Sequence, residues 1–137
     1  MSKEKTLTFA VMEPPFESAR AATIFRMIDA AIQSGFNVNV FAYEGAVYLP
    51  FARQQQHANA VHGRDVAQEN HPLPKDWVAS LLREAERRGT KLDWVNCGLC
   101  VDERGAGEAI PGVRRGSPAD FWKMATESHN TLVVGVS

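Results

Sequence analysis

The only two cysteines of the 137-residue chain stand three positions apart, in the stretch NCGLCVDERG at 96–105. Four chemistries suit that spacing. A Cys-x-x-Cys dithiol can cycle as a redox pair. It can supply half of a tetrahedral zinc site. One of its sulfurs can act as a thiolate nucleophile toward another sulfur. Both can also be small buried apolar side chains with no reactivity. What surrounds the pair decides between these uses.

The surrounding sequence alternates strand and helix signals. TLTFAVM (6–12) is an apolar, β-rich run broken by EPPF, and reads as a buried strand. Between Ser18 and Ser34, Ala21, Ile24, Phe25, Ile28 and Ile32 recur at helical spacing, and Gly35 closes the helix. FNVNVFAY (36–43) is a second strand, and EGAVYLP after it reads as a turn and a short extended piece. Pro74 opens a helix with the stripe Trp77, Val78, Leu81, Leu82 and Ala85, which ends at RRG (87–89). TKLDWVN (90–96) is a third strand with Leu92 and Trp94 on one face. SPADFWKMATES (117–128) carries an N-cap signature and is a short helix, and TLVVGV (131–136) is the last strand. Residues 50–74 are polar and rich in Gln, His and Asn. They read as a long surface connection, with a short helix over 51–61 and a lid or subunit-contact arm as its functional use.

This order predicts an α/β fold with a parallel sheet. In such sheets ligands bind outside the carboxyl ends of the strands. EPPFES, YEGAVY and CGLC all follow strands and so belong on that edge. If residues 98–104 form a helix, Cys97 stands at its N-terminus, where backbone N–H groups and the helix dipole favour a thiolate. Cys100 follows one turn later. Arg104, Arg114 and Arg115 are the nearby cations in sequence, and Glu13, Glu44 and Asp102 are carboxylates at the same edge, read as solvated loop charges.

The competing chemistries are weaker. A thioredoxin-like site has a Trp before the pair and a Pro within it, and neither is present here. Structural zinc needs four ligands, whereas this chain has one Cys pair and scattered His57, His62, His71 and His129, so no metal site is assigned. Phosphate-cradling glycine motifs and the G-x-S-x-G elbow are absent. A net charge of −1 and a lack of basic–aromatic interleaving argue against direct nucleic-acid binding. The apolar run near the start is too short to span a membrane or serve as a signal peptide, so a cytoplasmic protein with reduced thiols is expected.

Three segments together resemble the DsrE/F-like family of sulfur-relay proteins, of the DsrE and TusD type. LTFAVMEPPFESARAATIFRMIDAAIQSG is similar to its opening strand and helix. NVNVFAYEGAVYLP is similar to its second strand and G-V-Y-like segment, matched here by Val47 and Tyr48. KLDWVNCGLCVDERG is similar to its cysteine-after-strand signature with a following R-G pair. The resemblance implies a single domain over 1–137, with a longer polar connection at 50–74. The fold would be a three-layer α/β/α sandwich around a mainly parallel sheet of four to five strands. It implies a sulfurtransferase or sulfur carrier with Cys97 as the persulfide-bearing residue and Cys100 as the second thiol. Arg104 and Gly105 would shape the loop, and Tyr48 would line the approach. No cofactor is implied. The expected partners are a small sulfur-carrier protein of the TusA type and further copies or relatives of the chain, in a trimer or hexamer. Three other readings remain open: a non-catalytic oligomeric docking module of a sulfur-relay complex, a Cys-x-x-Cys redox sensor, and a metal-binding protein.

Overall fold

The structure, a computed structural model, describes residues 5–56 and 72–136. Five parallel strands form one sheet: β1 (Thr6–Val11), β2 (Asn37–Ala42), β3 (Leu92–Cys97), β4 (Val113–Gly116) and β5 (Asn130–Val134), in the spatial order β4-β3-β2-β1-β5. Helices α1 (Arg20–Gln33), α2 (Pro74–Arg87), α3 (Gly98–Arg104) and α4 (Pro118–Thr126) connect them. The three-layer α/β/α expectation holds.

Two apolar layers sandwich the sheet. On one face α1 and α2 cover Phe9, Val11, Val38, Val40 and Trp94, and the predicted stripe Ala21, Ile24, Phe25, Ile28 and Ile32 is wholly buried there. Trp77 packs against Phe25 with ring centroids 5.0 Å apart and the planes tilted by 38°, and so ties α2 to α1. On the other face α4 covers a smaller patch, where Met124 and Phe121 meet Phe41 and Val95. Ser117 caps α4: its side chain accepts from Ala119 N, and Asp120 reaches back to the Ser117 N–H at 2.8 Å. That capping box is the one read from the sequence. At the far end of α4, the Thr8 hydroxyl on β1 bonds Ser128 and the Met124 carbonyl, which fixes the helix to β1.

Three local expectations change. EGAVYLP is no extended piece: Glu44–Tyr48 is a 3₁₀ helix laid across the carboxyl ends of the strands. Ala46 N bonds Tyr43 O and Leu49 N bonds Ala46 O within its turns. The short helix expected over 51–61 is absent from 51–56, because Ala52 N and the Pro50 carbonyl pair instead with residues 108 and 110. The remainder of that segment, 57–71, lies outside the described residues. β4 is a fifth strand that the sequence pattern did not announce.

Candidate functional site

β3 delivers the first thiol. Its alternation sends Trp94 toward the α1/α2 face, while Val95 and Cys97 join the smaller cluster under α4. Cys97 is the last residue of β3 and also the residue before α3, with an extended backbone (φ −65°, ψ 114°) and only 4% of its surface exposed. Cys100 follows in the first turn of α3 and is half-buried. Both thiols are free. Burial pushes the Cys100 thiol above its ordinary value. The Glu44 N–H opposes this, while Cys97 and the Glu44 charge add to it.

The parallel register of β3 and β4 selects which cation reaches the pair. Asn96 lies opposite Arg115, and Cys97 opposite Gly116. From there Arg115 Nη2 donates to the Gly98 carbonyl at 3.0 Å and to Asp102 Oδ2 at 2.7 Å. Asp102 holds the guanidinium above its ordinary value, and Cys97 adds a further electrostatic attraction. A Cβ on Gly98 would sit 2.9 Å from Arg115 Nε, so glycine here is what lets the guanidinium close over the strand-to-helix junction.

The other two arginines are engaged elsewhere. Arg114 grips Asp93 through two bonds of 2.9 and 3.0 Å and reaches Asp120 at 3.5 Å. Arg104 pairs with Glu44 at 2.9 Å, and its carbonyl accepts the Tyr48 hydroxyl. Gly105 ends α3 in the left-handed region at φ 62°, a conformation that costs glycine little. Arg104, Gly105 and Tyr48 thus form a clasp between the end of α3 and the 3₁₀ helix.

The carboxylates divide as well. Asp102 and Glu44 are exposed ion-pair partners. Glu13, expected in solvent, is instead 4% exposed, with its carboxyl held by the Ser18 hydroxyl. Two buried polar residues were not foreseen. Asn96 donates to the Val47 carbonyl at 3.1 Å. Gln54 bonds Leu49 O at 2.7 Å and receives Lys75 N at 2.9 Å. The one signal for Asn96 was a polar residue inside an apolar strand, directly before Cys97.

A family model for DsrE/DsrF-like proteins matches residues 5–134. The chain belongs to the DsrE/DsrF-like family. Among solved structures, the ychN protein from E. coli superposes with a TM-score of 0.73 at 16% identity, over 95% of this chain and 99% of that one. A conserved protein of unknown function, BT1422 from Bacteroides thetaiotaomicron, superposes with a TM-score of 0.60 at 12% identity, over 98% of each chain. At these identities the likeness speaks for the fold. No curated protein sequence matches.

DsrE/DsrF-like membership points to a role in sulfur relay. Among the described residues, no group of three or more His, Cys, Asp or Glu side chains is arranged to hold a metal ion. His129 is exposed, and His57, His62 and His71 lie outside the described residues. Likewise, no described helix is long and apolar enough to cross a membrane.

Proposed function

We propose that this protein is a sulfurtransferase or sulfur carrier that accepts sulfane sulfur on Cys97 as a persulfide and relays it to a partner protein. The observation that carries this reading is the junction itself. A cysteine ends a strand at the ligand-binding edge of a parallel sheet, with Arg115 bound to the Gly98 carbonyl and a second free thiol in the first turn of the helix that follows. Cys100, whose thiol is pushed up by burial, stays protonated at neutral pH.

The step balances without an oxidant. The Cys97 thiolate attacks the outer sulfur of a donor persulfide, R–S–SH. The donor S–S bond breaks, its electron pair leaves on R–S⁻, and a new S–S bond forms on Cys97. Relay is the same step in reverse on a partner thiol. Because Cys97 is almost fully covered, the first turn of α3, which holds the half-buried Cys100, must yield for the sulfur to enter.

The family resemblance supports a small TusA-type carrier as partner, a trimeric or hexameric assembly, and a cytoplasmic setting. Intact mass spectrometry after polysulfide treatment tests the core claim. The wild type gains mass in steps of about 32 Da, and Cys97→Ser abolishes the gain. Gains lost only in Cys100→Ser would move the role to Cys100. No uptake by any form sinks the reading. The placement of two free thiols three residues apart at the start of α3 favours one alternative, a dithiol switch, which would show instead a reversible form lighter by two hydrogens.

A further inference from the structure

One cavity lies away from the cysteines, where the winding of the sheet reverses. From β1 the chain moves outward through β2, β3 and β4, then returns to place β5 on the other side of β1. α1 packs with α2 on one face and α4 covers the other, so the crevice beyond β1 and β5 is the topological switch point, where doubly wound sheets take ligands. A cavity of about 1000 Å³ opens there, between the segment after β1, the 3₁₀ helix and Val136 after β5.

Its wall is chemically specific. Glu13 presents a carboxyl group removed from water, with Ser18 as a hydrogen-bond partner. Burying such a group at the wall of a cavity is costly unless a donor or cation meets it. Arg20, Arg53 and Arg104 bring guanidinium groups to the same space, and Pro14, Tyr48 and Phe51 supply apolar surface. Phe16 and Glu44, both on this wall, hold φ of 72° and 51°, a backbone region that side chains other than glycine seldom occupy and that recurs at binding sites. A ligand suited to this lining is small, carries both an ammonium and a carboxylate, and has a modest apolar body.

Glu44 joins the cavity to the thiols. Its side chain forms part of the wall and pairs with Arg104, and the 3₁₀ helix that it begins packs against α3, which carries Cys100. We infer that the cavity holds the sulfur donor, a low-molecular-weight thiol built from amino acids and carried in its persulfide form, with its charged groups on Glu13 and the arginines and its sulfur directed past Glu44. This rests on the sulfur-transfer reading. The donor leaves as the free thiolate, as in the step above.

The test separates the two claims by using S-methylglutathione, a zwitterionic peptide that cannot transfer sulfur. On the full chain, calorimetry is expected to show saturable binding with Kd below about 1 mM. The same compound is expected to slow persulfide loading from glutathione persulfide but not from inorganic polysulfide. Glu13→Gln and the exposed-site variant Arg53→Ala are each expected to raise Kd about tenfold or more, with the native circular dichroism spectrum as the check on folding. Absence of binding while polysulfide still loads a cysteine overturns the donor site and leaves sulfur transfer standing. Binding that both variants retain at wild-type strength overturns the assignment to this cavity. Binding without uptake of sulfur from any source overturns the donor role together with the sulfur-transfer reading.

Discussion

Arg115 donates to the carbonyl oxygen of Gly98 at 3.0 Å, which places a guanidinium on the first peptide of α3, one residue past Cys97. The contact depends on Gly98 having no Cβ, since one would come within 2.9 Å of Nε. A charge on β4 thereby serves a sulfur on β3, and the parallel register of the two strands makes the meeting possible.

Removing that charge should slow sulfur uptake. Arg115→Met keeps most of the side-chain bulk and loses the cation. The rate of loading by polysulfide at pH 7 is expected to fall about three- to tenfold, the scale of one neighbouring charge acting on a thiolate. A time course by mass spectrometry reads it directly. Loading at the wild-type rate would remove Arg115 from the mechanism.

Cys100 should titrate late. Its ordinary value of 9.0 is raised, with burial as the largest cause. The folded state therefore holds the proton more tightly than the unfolded one. The associated stability is complete below pH 9 and declines as pH climbs through the folded value. Alkylation of the Cys100 peptide by iodoacetamide is expected to have its midpoint above pH 9, later than the same peptide in urea.

The hydroxyl of Thr8 joins α4 to the sheet. It is fully buried, and it bonds Ser128, the Met124 carbonyl and the Asn39 amide at 3.2 Å. Thr8→Val keeps the shape and leaves those partners short of a bond. A loss of about 1–3 kcal/mol is expected from urea unfolding, the scale of an unsatisfied buried polar group.

Gly116 has no room for a methyl group. A Cβ would lie 2.5 Å from Val95 Cγ1 and 2.6 Å from Asp120 Oδ2, the acceptor of the α4 capping box. Gly116→Ala should cost about 1–3 kcal/mol through overpacking, seen as a lower thermal midpoint. Gly105→Ala has open space around its Cβ but sits at φ 62°. It should cost less, about 1 kcal/mol, from backbone strain alone.

How far the fold could be read depended on how strongly each segment's pattern was tied to burial. α1 and α2 each bury an apolar stripe, and their periodicity was plain. β4 was missed because VRRG is four residues long, with one apolar side chain and two arginines, on a sheet edge that leaves those arginines in solvent. No alternation survives in so short a run. The 3₁₀ helix was misread because its five residues hold only one turn's worth of pattern.

The site was half legible for a related reason. Cys97 at the end of β3 follows from local sequence, since strand and cysteine adjoin. The roles of the arginines do not follow, because proximity along the chain favoured Arg104 whereas strand pairing brings Arg115. Glu13 shows the same limit. A glutamate beside two prolines looks like a loop charge, and only the packing of the 3₁₀ helix over that loop, with Pro14 pressed against Gly45, encloses it.

The place of β1 between β2 and β5 also sets an order of events during synthesis. β1 pairs with β2 soon after both leave the ribosome, but its other edge waits for β5, and the Thr8 hydroxyl for a partner 120 residues further on. Until then the nascent sheet exposes the unpaired backbone of β1, the kind of edge that recruits stray chains. The last strand to emerge is therefore the one that covers the open edge of the first.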